Sequence, residues 1–260
     1  MKYGFIGCGN MGGALAKALS KSTADILLSD QPEKAQQLAA ELGCSHGTNP
    51  EAVACQRVFL GVKPQMMADV LRPLQPLLAE KKPLLISMAA GMTIEKIEEL
   101  AGTRLPVIRI MPNTPVSVGK GVILYCHNDL VSEDALADFL QDMQFTGVLD
   151  PLDEKLIDAA CAVSGCGPAF VYMFIEAMAD GAVASGLPRD KALTYAAATL
   201  AGAAEMALVT KQPPQTLKDA VCSPGGSTIA GVRALEERGF RGTVIDAIIA
   251  AYKRNIELGK

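Results

Sequence analysis

Apolar positions along the chain fall into two regimes. In the first, short apolar runs alternate with amphipathic stretches. Residues 3–7 predict a strand, and after a glycine loop Met11, Ala14, Leu15, Ala18 and Leu19 recur at helical spacing. Residues 25–29 predict a second strand with Asp30 at its end. Residues 32–42 predict a helix with Pro32 in its first turn and Gly43 as its stop. Asn49 is placed to cap the next helix. Strands are expected over 57–62, 84–88 and 107–111, with a helix over 65–78 disturbed by Pro73 and Pro76, and a helix over 94–101 capped by Thr93. Residues 116–126 read as extended around Gly119-Lys120-Gly121, Ser132 caps a helix to Met143, and 144–149 form a last strand. Strands alternating with helices predict parallel βαβ units in an open α/β sheet.

From Asp153, which caps residues 154–163, only the helical period remains. Alanine, methionine and leucine dominate 169–184 and 191–209, and 192–204 is apolar almost all round. A helix apolar on every face must be buried, and about a hundred helical residues can hardly surround it alone, so a second subunit is expected to cover it. The division predicted is 1–152, an N-terminal α/β domain, and 153–260, an all-α C-terminal dimerisation domain.

Composition narrows the function. The 260 residues carry a net charge of −4 and no basic run, which argues against nucleic-acid binding. Apolar runs at 83–94 and 161–175 stop short of the ~20 residues of a membrane span, so no membrane association is expected. The N-terminus reads as a strand, with no room for a signal peptide, and the expected location is the cytoplasm. Seven cysteines, an odd number without a Cys-x-x-Cys pair, predict free thiols and no metal site. The two histidines, His46 and His127, have no ligand partner at useful spacing.

Two glycine loops carry the candidate chemistry. Gly7-Cys8-Gly9-Asn10-Met11-Gly12 stands between a strand and a helix, with Ser29-Asp30 near the expected twenty-residue offset. That context predicts a dinucleotide site: glycines for the turn and for close approach of the pyrophosphate, and an acid for the ribose. Asp30 favours NAD; Ser29 and Lys34 are the candidate donors for a 2′-phosphate, though Lys34 reads first as a solvated helix face. The crevice should also be lined at the carboxyl ends of later strands by Gly61-Val62-Lys63-Pro64, by Met88-Ala89-Ala90-Gly91 and by the loop containing Asn113. The late loop, Cys222-Ser223-Pro224-Gly225-Gly226-Ser227-Thr228, runs into a helix that Ser223 or Ser227 could cap. It offers bare N–H groups to an anion, and an ordinary helix cap is the equal alternative.

Residues 5–12, Arg109–Pro115, 164–170 and above all 217–231 (Leu-Lys-Asp-Ala-Val-Cys-Ser-Pro-Gly-Gly-Ser-Thr-Ile-Ala-Gly) resemble the pyrroline-5-carboxylate reductases over nearly the whole chain. Cys166 replaces a serine common there, and Ala220 an asparagine of some members. The resemblance implies an N-terminal Rossmann dinucleotide-binding domain over 1–152, a helical dimerisation and substrate-binding domain over 153–260 that interlocks with its twin in a homodimer, an active site at the dimer interface, and reduction of the small-molecule substrate (S)-1-pyrroline-5-carboxylate to L-proline by NADPH or NADH. A higher oligomer of dimers stays open. Carried over by position, Thr228 hydrogen-bonds the ring nitrogen and acts as the catalytic residue, while Ser223 and the backbone of Gly225, Gly226 and Ser227 hold the carboxylate. Ile6 to Met11, Asn49 and Lys63 fall against the cofactor, with Asn49 near its adenosine side and Lys63 near the diphosphate or ribose.

The residue inventory fits that chemistry. A cyclic imine takes its proton from water or a hydroxyl, so its site needs orientation and an anchor more than a base. A ketone needs a positioned acid for its alkoxide. Two alternatives remain at this point: a β-hydroxyacid dehydrogenase and a non-enzymatic NAD(P)-sensing dimer. The first requires a lysine soon after a glycine-rich helix start, yet none follows Gly165-Cys166-Gly167 before Lys191. The second has no use for the loop from Ser223 to Thr228.

Overall fold

The computed structural model describes residues 1–258. Eight strands form one sheet: β1 Tyr3–Ile6, β2 Ile26–Ser29, β3 Ser45–His46, β4 Arg57–Leu60, β5 Leu84–Ser87, β6 Val107–Met111, β7 Gly121–His127 and β8 Gly147–Pro151. Their spatial order is β3-β2-β1-β4-β5-β6-β7-β8, every pair parallel except β6 with β7. The order reverses at β1, which lies between β2 and β4. In an open α/β sheet a ligand crevice forms at such a switch, outside the carboxyl ends of the strands.

The helices are α1 Asn10–Leu19, α2 Pro32–Leu42, α3 Asn49–Val53, α4 Met67–Leu71, α5 Gln75–Lys81, α6 Ile94–Ala101, α7 Glu133–Asp142 and α8 Ile157–Ser164. They are followed by α9 Gly167–Ala184, α10 Arg189–Thr210, α11 Pro214–Ala220, α12 Ser227–Glu237 and α13 Phe240–Leu258. Pro73 and Pro76 break the expected helix 65–78 into α4, a 3-10 turn at Arg72–Leu74 and α5. Their rings remove amide donors that an unbroken helix requires.

Packing divides the chain into two units, 1–166 with 251–260, and 167–250. In the first, alternate strand residues feed two cores on opposite faces of the sheet. Tyr3, Phe5, Phe59, Ile108 and Ile110 pack with Leu15 and Phe139 on one face. Ile6, Val58, Leu60, Leu85 and Val107 pack with Leu71, Leu78 and Ile97 on the other. Strands buried on both faces read as continuous apolar runs, which is why the periodicity found them.

Three local expectations are corrected. Thr48, not Asn49, is the N-cap of α3: its hydroxyl and Glu51 form a capping box, with Thr48 N–H donating to Glu51 Oε2 at 2.7 Å. The stretch expected to be extended from 116 begins as a 3-10 turn, Thr114–Val118, and becomes strand only at Gly121. Likewise 144–146 is a 3-10 turn before β8. In both cases a positive-φ glycine, Gly119 or Gly147, closes the turn before the strand.

The second unit is helical throughout. Ala179 of α9 packs against Ala192 and Ala196 of α10, with Ile175, Val183 and Leu187 around them. Most of α10 has no apolar cover in one chain: Leu193, Tyr195, Met206, Leu208 and Val209 are all exposed. The expectation that no apolar run reaches membrane length also needs correction. The stretches Glu154–Ala184 and Arg189–Thr210 are long and apolar enough, by length and composition, to cross a bilayer.

Candidate functional site

The first glycine loop forms a cradle by packing backbone on backbone. β1 ends at Ile6, and Gly7 turns the chain with φ +92°. A Cβ on Gly12 would lie 2.2 Å from the Gly7 carbonyl oxygen, and one on Gly61 would lie 2.3 Å from that same atom. Gly7, Gly12 and Gly61 are therefore occupied by each other's backbone. Gly9 is different, because a Cβ there would meet no atom within 4 Å. Gly9 is the N-cap of α1 and no side chain caps the helix, so the first N–H groups, at Asn10 and Met11, carry no side-chain cap. Close backbone below, open space above and a helix N-terminus behind are what a pyrophosphate requires, and these residues fit one.

Cys8 stands inside this loop, but its thiol turns inward. Its Sγ reaches the Ser29 carbonyl at 3.9 Å, and burial together with the Asp30 charge pushes its pKa up to about 12. It is a packed thiol and not a nucleophile at neutral pH. All seven cysteines are free thiols; Cys55 and Cys161 are also buried, whereas Cys44, Cys126, Cys166 and Cys222 are only half-buried.

At the carboxyl ends of β2 and β3 a pocket of about 420 Å³ is lined by Ser29, Asp30, Pro32, Ala35, His46, Gly47, Thr48 and Asn49. Asp30 Oδ2 accepts the Cys8 N–H at 2.5 Å and Oδ1 accepts the Gln31 N–H at 2.7 Å. Partial burial opposes its charge, yet these amides and Lys34 outweigh that and hold its pKa below the ordinary carboxylate range. Lys34 is exposed on the face of α2, as a solvated helix residue should be, and its Nζ lies 3.3 Å from Asp30 Oδ2. Relieved of capping, Asn49 accepts the Ser29 hydroxyl at 2.6 Å. His46, Gly47 and Thr48 line the same pocket and were missed by sequence reasoning. The usable signal was Thr48-x-x-Glu51, a capping-box spacing that puts the helix start one residue earlier.

The remaining loops differ in what they present. Lys63 is exposed and precedes a 3-10 turn at Pro64–Met66, while Gly61 and Val62 are half-buried. Ala89 is buried and Ala90 exposed, with Gly91 at φ +71° between them and α6. Asn113 is buried and its amide is used within the chain: Nδ2 donates to the Ser164 carbonyl at 2.9 Å, and Oδ1 accepts the Val122 N–H at 2.8 Å. Its side chain shapes the loop; only its backbone is left to meet a ligand.

In the helical unit, Ser223-Pro224-Gly225-Gly226 is a tight turn. The Gly226 N–H donates to the Ser223 carbonyl at 3.0 Å, Pro224 occupies the second position and Gly225 takes φ +70° in the third, as a type II turn demands. The turn delivers the chain to α12 with Gly226 as N-cap, and neither Ser223 nor Ser227 caps the helix. That corrects the expectation of a serine cap. The Ser223 hydroxyl instead sits over Gly226, where a Cβ would lie 2.3 Å from Oγ. Ser227 and Thr228 are the first two residues of α12, both exposed. A helix start with uncapped N–H groups and three hydroxyls suits a carboxylate.

Comparison with known proteins converges on one family. The family described as pyrroline-5-carboxylate reductase dimerisation matches residues 154–258, and the NADP oxidoreductase, coenzyme F420-dependent family matches residues 2–91. The pyrroline-5-carboxylate reductase of Escherichia coli is 40% identical over 266 aligned positions, covering 100% of this chain and 98% of that protein. That of Pisum sativum is 41% identical, covering 98% of this chain and 95% of its own. Among solved structures, the Plasmodium falciparum pyrroline carboxylate reductase with NADP bound superposes with a TM-score of 0.90 at 34% identity, covering 100% of this chain and 98% of the other. The match to a dimerisation segment points to a homo-oligomer, and the segment it covers holds the exposed apolar residues of α9 and α10. With such identity over its full length, this chain belongs to the pyrroline-5-carboxylate reductase family.

Proposed function

We propose that the chain reduces (S)-1-pyrroline-5-carboxylate to L-proline, the last step of proline synthesis, with NADP(H) as cofactor. NADH is the lesser alternative. The reading is carried by the backbone cradle of Gly7, Gly12 and Gly61 beneath an uncapped α1, in a chain similar along its whole length to reductases of this one substrate. The cofactor supplies the hydride. The N–H groups of Asn10 and Met11 hold the diphosphate, Ser29, Asp30 and Asn49 hold the adenosine ribose, and Gly61 to Pro64 with Ala89 and Ala90 line the rest. Ser223 and the N–H groups of Gly225, Gly226 and Ser227 hold the carboxylate. The Thr228 hydroxyl faces the ring nitrogen and orients it. Residues 1–152 serve the nucleotide, and 153–260 serve substrate and dimerisation, with the helical segments of two chains interlocked. Seven free thiols suit a reducing compartment, the cytoplasm.

Purified protein should consume NADPH when given pyrroline-5-carboxylate and should leave 3-hydroxy acids untouched. Oxidation of a 3-hydroxy acid, or tight cofactor binding without turnover, would overturn the reading. Thr228→Ala should cost about 1–3 kcal/mol in kcat/KM, the loss of one hydrogen bond in a site, with NADPH affinity unchanged by fluorescence titration. A selective loss of NADPH affinity would remove Thr228 from its role.

Asp30 bears on cofactor choice. An ionised carboxylate beside the adenosine ribose accepts from its hydroxyls and repels a 2′-phosphate. Asp30→Ser should therefore raise the ratio of NADPH to NADH affinity by roughly tenfold, about the worth of one repulsive contact. Titrating both nucleotides against wild type and variant checks it; an unchanged ratio would take Asp30 out of the discrimination.

A further inference from the structure

Arg109 is the outlier of the buried sheet. It sits in the middle of β6, paired in register with Ser87 of β5 and Cys126 of β7, and is only 2% exposed. A central strand position on the Val107–Met111 face is built for an apolar side chain, and Val107 and Met111 on either side of Arg109 are buried apolar residues. A fixed cation there is expensive unless paired. Its partners come from the turn before α8 and from the first turn of α8 itself. Arg109 Nη1 donates to Glu154 Oε1 at 3.1 Å, and Nη2 lies 3.6 Å from Asp158 Oδ1. Among the described residues Nε and Nη2 make no hydrogen bond, so the guanidinium is held through Glu154.

Glu154 has a second task. The same Oε1 accepts the N–H of Ile94 at 2.8 Å. Ile94 is the first residue of α6, so a carboxylate sixty residues away in sequence takes one of the helix's orphan donors, while Thr93 takes another at Lys96. The turn from Met88 to Thr93 is thus anchored at both ends. At its start the Met88 N–H donates to the Leu60 carbonyl at 3.3 Å; at its end stands the Glu154 carboxylate, itself held by Arg109.

We propose that Arg109 is a positioning residue for the reduction, acting through Glu154 to hold the turn that carries Ala89, Ala90 and Gly91 against the nicotinamide end of the cofactor. The inference rests on the cofactor reading above. Arg109 touches neither cofactor nor substrate. Without it, Glu154 loses its counter-charge, the anchor at Ile94 loosens, and the turn drifts from the place where a nicotinamide ring must stand. The adenosine pocket of Ser29, Asp30 and Asn49, built on β2 and β3, lies on other strands and does not depend on the clamp.

That separation supplies the test. In Arg109→Gln and Glu154→Ala, kcat for pyrroline-5-carboxylate reduction should fall roughly 10- to 100-fold, the scale of an ångström's misplacement. NADPH should bind more weakly, while 2′-phospho-ADP-ribose, which lacks the nicotinamide, should bind within about twofold of wild type, too small a change to mark a lost contact. Glu154→Gln keeps an oxygen for the Ile94 N–H and should retain more kcat than Glu154→Ala, and it also serves as the milder variant if the others do not fold. Equal kcat in wild type and all variants would overturn the proposal. So would parallel loss of NADPH and 2′-phospho-ADP-ribose binding, because that marks general damage to the fold. Failure of the cofactor reading would show separately, as wild-type protein that does not bind NADPH.

Discussion

Gly12→Ala should nearly abolish cofactor binding while leaving the sheet intact. The added methyl group would sit 2.2 Å from the Gly7 carbonyl oxygen, a backbone atom that no rotamer change can move. Either α1 shifts outward or the turn at Gly7 opens. Both displace the Asn10 and Met11 amides proposed to meet the diphosphate. Overpacking of this kind costs about 1–3 kcal/mol of stability, and displacement of the amides should weaken NADPH binding by at least a comparable amount. Thermal unfolding and a fluorescence titration measure the two effects. The contrasting variant is Gly9→Ala, whose methyl group meets no protein atom within 4 Å. It should leave stability nearly unchanged and still impair binding, because it fills the open space proposed for the pyrophosphate. A Gly12→Ala protein that binds NADPH normally would remove the cradle from the site.

Leu193→Asp should convert the homo-oligomer to single chains of 27.3 kDa. Leu193 is 43% exposed on α10, on a helix whose packing within one chain uses only Ala192 and Ala196 as buried residues. Under a second copy, a carboxylate in place of this apolar side chain is buried, and a buried charge left unpaired costs several kcal/mol. Light scattering at micromolar concentration reads the mass, and turnover is expected to fall with it, since the family resemblance puts the active site at the dimer interface. A variant that keeps the wild-type mass would show that this face of α10 is not covered. An active monomer would show that one chain suffices for catalysis. The experiment also addresses the membrane-length stretches, because burying the same apolar faces in a second subunit requires no bilayer.

Much of the fold was legible in the linear pattern for identifiable reasons. β1, β2, β4, β5 and β6 are covered on both faces, so their runs are largely apolar, with Arg109 inside β6 an exception. The helices of the first unit have one apolar stripe each and conventional stops, such as Gly43 and Gly102 in the left-handed region. β3 was missed because two residues at a sheet edge leave no periodicity to read. The cap of α3 was placed one residue late because Asn49 and Thr48 are both good caps by type. The Ser29 hydroxyl, which occupies Asn49, arrives from a strand twenty residues earlier.

For the candidate site, the sequence by itself determined which residues stand near each loop: glycines at 7, 9 and 12, an acid after β2, and a proline-glycine-glycine turn before α12. Such features are local, because turn geometry and helix starts depend on neighbours a few residues apart. What each of these groups does was decided only by tertiary structure. Three glycines looked alike in the motif, yet Gly12 is filled by the Gly7 backbone and Gly9 is open. Asp30 ties back to Cys8, Asn113 spends its amide inside the chain, and Arg109 reaches forward to Glu154 and through it to Ile94. The physical reason is common to all of them. A group's role follows from which donors, acceptors and free space surround it, and for Asp30, Asn113 and Arg109 that neighbourhood is assembled by strand order and register from residues twenty to sixty positions apart.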